Sequence, residues 1–126
     1  MLELTIKDNV YKFKFGIGFV REIDKTKQLK AENGTMQDAG LQLAVASLID
    51  EDPVALIDIL DLANKTEKPR VTKGLLDAYI DDEDTDIDEL FRTVLDFFEK
   101  TNATKKKTAM VQEMVENERA KRAAAE

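Results

Sequence analysis

The sequence contains no cysteine and no histidine. Without cysteine there is no disulfide framework and no thiolate metal site. Without histidine the chain lacks the commonest general base and the commonest transition-metal ligand. These two absences weigh against enzymatic function more than any feature present weighs for it. Two prolines and five glycines are few for an all-β domain. No stretch approaches the roughly 20 apolar residues that span a bilayer. The opening MLELTIKDN has neither the charged start nor the apolar run of a signal peptide. The expectation is a soluble, intracellular-type protein with no cofactor, no bound metal and no membrane contact.

What is present fits one folded unit. A chain of 126 residues buries roughly two-thirds of its unfolded surface. Hydrophobic residues make up 43% of it, enough for a core although 36% are charged. The net charge of −7 is uneven: Glu51 to Glu99 holds 15 acidic and 5 basic residues, whereas Ala103 to Glu126 holds 6 basic and 4 acidic. Such an acidic body repels nucleic acid and favours basic partners; equally, acidic helix faces keep a small protein soluble.

Periodicity supplies the elements. Leu2, Leu4 and Ile6 alternate with polar residues, as do Tyr11, Phe13 and Phe15. A two-residue turn at Asp8-Asn9 would set Ile6 opposite Tyr11, Leu4 opposite Phe13 and Leu2 opposite Phe15, all on one face. Such a hairpin needs helices against its apolar side. From Ile17 the spacing turns helical, with Gly16 and Gly18 at the switch as residues of permissive backbone. This helix is expected to run to about Glu32 and stop at Asn33-Gly34.

A nearly all-apolar helix is expected over Gln37–Ile49. Asp52-Pro53 reads as N-cap and first position of another, Pro53 to Asn64, whose polar stripe is little more than Asp58 and Asp61. It is read as buried, or else as offering a face that includes Leu56 and Ile59 to a partner. Lys65 to Arg70 reads as a linker, and Thr72 as the cap of a short helix. Thr85 with Asp88 resembles a capping box for an amphipathic helix carrying Leu90, Phe91, Val94, Leu95 and Phe98. Residues 1–101 thus form a globular domain. Residues 102–126 read as a loosely held helical tail, because Met110, Val111, Met114 and Val115 span barely two turns. The fold class is α+β, mostly helical, with an N-terminal two-stranded antiparallel hairpin packed on about five helices.

Motifs for chemistry fail on spacing. Placing Asp82, Asp84, Asp86 and Asp88 at EF-hand ligand positions puts Ile87 where glycine belongs and Thr93 where the bidentate glutamate belongs. Gly16-Ile17-Gly18 lacks the third glycine of a dinucleotide fingerprint. The clusters Lys105 to Lys107 and Arg119 to Arg122 are short, lack interleaved aromatics and hang on an acidic body, which disfavours nucleic-acid binding.

The hairpin strand Tyr11-Lys12-Phe13-Lys14-Phe15 followed by Gly16-Ile17-Gly18-Phe19-Val20-Arg21-Glu22-Ile23-Asp24 resembles the start of the tail assembly chaperones of long-tailed bacteriophages. The form it resembles occurs in phages and prophages of Gram-positive bacteria. The likeness extends through the helices of 37–64 and 86–100. It implies a non-enzymatic protein of the host bacterial cytoplasm, absent from the mature virion. Such a chaperone binds and solubilises the tape measure protein and helps recruit tail tube protein, often through a frameshifted longer form of which this chain would be the shorter product. Met110, Val111, Met114, Val115, Leu56 and Ile59 are the candidate partner-binding residues, since capture of a helix-rich client needs apolar helical surface and methionine adapts to varied partners. The tail is also a candidate contact for a homo-oligomer. The alternative is a small acidic adaptor or inhibitor that binds one basic protein; a carboxylate-only enzyme ranks below both.

Overall fold

A computed structural model describes residues 1–125 of the chain. The elements run β1 (Leu2–Ile6), β2 (Asn9–Phe13), α1 (Ile17–Asp24), β3 (Gln28–Lys30), β4 (Met36–Asp38), α2 (Gly40–Ile49), α3 (Pro53–Asn64), α4 (Lys73–Asp81), α5 (Ile87–Lys100) and α6 (Lys105–Ala125). The fold is α+β and mostly helical, with the N-terminal antiparallel hairpin that the alternation predicts.

The hairpin register differs from expectation by two residues. Leu2 pairs with Phe13 and Leu4 with Tyr11, because the turn is Lys7-Asp8, with φ of 50° and 67°, rather than Asp8-Asn9. Positive φ at both central residues is the mirror-image turn whose twist suits a hairpin. A slip of two keeps every side chain on its face, so Leu2, Ile6, Tyr11, Phe13 and Phe15 are all buried. Phe15 lies beyond the ladder and joins an aromatic cluster, with ring centroids 5.4 Å from Phe19 and 5.2 Å from Phe98. Phe13 and Phe98 have no exposed surface; burial of such side chains contributes about 1.5–3 kcal/mol each.

Helix α3 is the central element and matches its predicted span. The Asp52 carboxylate accepts hydrogen bonds from the Val54 and Ala55 amides at 3.0 and 3.3 Å. At the other end, the Lys14 amide donates to the Ala63 carbonyl at 2.8 Å, so the residue that follows β2 satisfies a group the helix leaves open. Asn64, wholly buried, joins three segments: its Nδ2 donates to the carbonyls of Lys12 and Pro69, and its Oδ1 accepts from the Val71 amide at 2.6 Å and from Arg70.

Four local expectations are corrected. Helix α1 ends at Asp24 rather than near Glu32, because Lys25 to Gln28 continues no apolar stripe. Residues 28–38 form a second hairpin, β3–β4, in which Gly34, with φ of 87°, belongs to the turn instead of a helix end. Helix α2 accordingly starts at Gly40, not Gln37. It begins there because its first turn abuts the end of α1, where Asp24 accepts from the Leu41 amide at 3.1 Å. The cap of α5 is Asp86, accepting from the Glu89 amide at 3.0 Å, rather than Thr85, whose hydroxyl donates to the Tyr79 carbonyl. Finally, neither Gly16 nor Gly18 has positive φ, so the turn from strand to helix does not require glycine at either position.

Candidate functional site

Helix α6 lies against α2 and α5 through a narrow strip. Thr104, Thr108 and Val111 are buried and Val115 half-buried, spaced i, i+4, i+7 and i+11 along one face. The two threonines satisfy themselves locally: Thr104 Oγ1 donates to the Phe98 carbonyl at 2.7 Å and Thr108 Oγ1 to the Thr104 carbonyl at 2.8 Å. The strip therefore carries little apolar area. From Glu116 to Ala125 every residue is exposed.

Beside this strip a cleft of about 770 Å³ opens between the end of α2, the start of α5 and α6. Its walls include Ile49, Phe91, Leu95 and Val115, and its rim carries Glu51, Asp88 and Glu116 together with Arg92 and Arg119. Ile49 and Leu95 are half-buried, so the cleft offers apolar surface that the fold leaves partly uncovered. Met110 and Met114 lie about 100° round the helix from Val111 and Val115, and are 39% and 51% exposed. They form an apolar pair facing solvent.

The expected partner-binding residues thus fall in two places. Met110 and Met114 are at the surface and Val115 at the cleft, while Val111 fastens α6 to the body. Leu56 and Ile59, 0% and 1% exposed, are interior. The near-complete apolarity of α3 is what a helix surrounded by β2, α1, α2 and α4 needs. Ile59 shows only an edge to a smaller groove of about 300 Å³ between α1, α2 and α3, with Leu43, Ala44 and Leu62. On that groove's border Lys73 pairs with Asp58 at 3.0 Å, and this hydrogen-bonded carboxylate raises the lysine's pKa. Ile49 at the cleft is not one of those six residues, although it lies in the 41–63 helical pair whose uncovered part the sequence marks as candidate surface. The available signal was the width of the α5 apolar face, where 87, 90, 91, 94, 95, 97 and 98 exceed what one neighbouring helix covers.

The acidic run before α5 has local roles. Asp82 Oδ1 accepts from the Asp84 amide at 2.9 Å, and Asp86 caps the helix. Among the described residues no three carboxylates converge as a metal-holding group, and no helix is long and apolar enough to cross a membrane.

No curated protein and no solved structure shows significant similarity to the chain. The family described as "phage tail assembly chaperone protein, TAC" matches over residues 3–113, from the first strand to the buried strip of α6. With most of its length covered by that match, the chain belongs to the phage tail assembly chaperone family.

Proposed function

We propose that this chaperone acts in the host cytoplasm, outside the mature virion, by holding the tape measure protein soluble while tail tube subunits are brought to it. The observation that carries the reading is the cleft of about 770 Å³ with its half-buried Ile49, Leu95 and Val115; Met110 and Met114 are exposed on the other flank of the buried strip of α6. A long helical client exposes apolar stripes before it is enclosed; a groove with apolar walls and a charged rim takes such a stripe, and the exposed methionine pair offers a second, adaptable contact. The surplus of acidic residues over 51–99 would attract basic stretches of the client. A frameshifted longer form would extend past α6, whose exposed end leaves the cleft unobstructed.

Co-expression with the tape measure protein tests this reading. The wild-type chain should keep the client in the soluble fraction and co-purify with it. Leu95→Glu should weaken that capture, because binding would bury an unpaired carboxylate, and Met110→Ser with Met114→Ser should weaken it less. The circular dichroism of each variant must match that of the wild type. Failure of the wild-type chain to raise client solubility would refute the proposal. Capture that survives Leu95→Glu but vanishes in moderate salt would point instead to a purely electrostatic adaptor, since exposed charges are screened within about 10 Å at 0.1 M.

A further inference from the structure

On the side of α1 lies a second concavity, of about 560 Å³, that shares no lining residue with the cleft. One of its lining residues is Ile17, 60% exposed on the first turn of α1. Next to it is Gly18, where an added Cβ would meet nothing within 4 Å. Gly18 does not have positive φ, so neither backbone conformation nor packing requires a glycine there. Gly18 lies in the first turn of α1, where its bare backbone is open to solvent. The missing side chain leaves room for a chain that approaches from outside.

The surroundings indicate what approaches. Lys14, Arg21, Lys25 and Lys65 border the concavity, against Glu22 and Glu67. Glu22 is engaged by Lys65 at 3.1 Å and Glu67 accepts from the Thr66 hydroxyl. Among the described residues Lys14, Arg21 and Lys25 form no ion pair. A protein of net charge −7 thus carries a net-positive hollow that includes the exposed Ile17 on one face.

We infer that the open face of α1 around Ile17 and Gly18 docks an acidic amphipathic segment of a protein partner. One apolar side chain of that segment covers Ile17, its backbone runs close over Gly18, and its carboxylates meet Lys14, Arg21 and Lys25. This goes beyond client capture at the α2–α5–α6 cleft: the two surfaces have opposite charge and do not overlap, so one chain can hold two partners at once.

The test titrates isotope-labelled full-length protein with helical probe peptides of about four turns and reads amide shifts. The first probe is built from Glu, Leu and Ala; the second has Lys for Glu, and the third has Ser for Leu. Only the first should shift the amides from Ile17 to Arg21 and those near Lys65. Gly18→Gln should weaken it about tenfold or more while leaving the melting temperature equal or higher, because the added side chain enters open space. Lys14→Glu with Lys25→Glu should weaken it by a similar factor. A basic probe that binds equally well, shifts confined to other faces, or binding unchanged in Gly18→Gln would overturn the inference. So would the same shifts on raising the protein's own concentration with no response to the probe, since the occupant would then be a second copy.

Discussion

A side chain on Gly40 has no room beside Ile23. A Cβ on Gly40 would lie 1.6 Å from the Ile23 carbonyl oxygen, the atom that also accepts from the Thr26 hydroxyl at 2.6 Å. The close approach lets the first turn of α2 rest on the last turn of α1. Gly40→Ala must separate the two helices, and the obstacle is backbone, which does not swing aside. The expected loss is about 3 kcal/mol in urea denaturation; a loss below about 0.5 kcal/mol would show that the helices slide freely.

Asn64 should be the most costly polar residue to replace. Its amide serves Lys12, Pro69, Arg70 and Val71 in a site with no solvent access. Asn64→Leu leaves buried backbone groups unpaired, at about 1–3 kcal/mol for each such group. Asn64→Asp keeps the acceptor side and loses the donor side, so it should fall between wild type and Leu. Thermal unfolding of the three proteins gives the order directly.

The caps of α5 can be separated by paired substitutions. Asp86→Ala removes the acceptor of the Glu89 amide and should cost about 1 kcal/mol, whereas Asp88→Ala, with no such bond, should cost less than half of that. Equal losses would return the cap to the Thr85–Asp88 pair that the sequence suggests.

That contrast shows what the sequence makes legible. Asp52-Pro53 fixes the start of α3 because both residues favour the same position for independent reasons. Around Thr85, three candidate caps stand within four residues, and only the path of the chain selects among them. The face of the first hairpin is legible from alternation, but its register is not, since a lysine in the left-handed region at position 7 has no sequence signature. The β3–β4 hairpin was unreadable because its strands are three residues each and exposed on both faces, so neither shows a hydrophobic period. At the cleft, Val115 and the helical apolar residues were visible. Which of them remain uncovered depends on how far α6 overlaps α5, a tertiary matter.

Truncation after Val115 should leave stability nearly unchanged, within about 0.5 kcal/mol, because residues 116–125 bury no side chain. Truncation before Thr104 should do the opposite, exposing Phe98 and the end of α5. Denaturation midpoints of the two shortened chains distinguish fastened from free portions of the tail.

Alkaline pH gives a further handle. Tyr79 on α4 is half-buried, and burial raises its phenol above the ordinary tyrosine value. Below about pH 10 the group is neutral in both folded and unfolded chains. Above that the unfolded chain ionises first, so stability falls as pH rises. Tyr79→Phe should lose less stability than wild type between about pH 8 and about pH 11; parallel losses would assign the alkaline sensitivity to other groups.

The exposed β3–β4 hairpin has a consequence for how the molecule breathes. Its ladder lies outside the hydrophobic interior, so it can open without disturbing a single core contact. Its amides should exchange with solvent orders of magnitude faster than those of Lys14 and Val71, which are released only when the whole domain unfolds. A protease offered the native protein should make its first cut between Lys27 and Lys30, leaving two fragments still held together by everything beneath the hairpin.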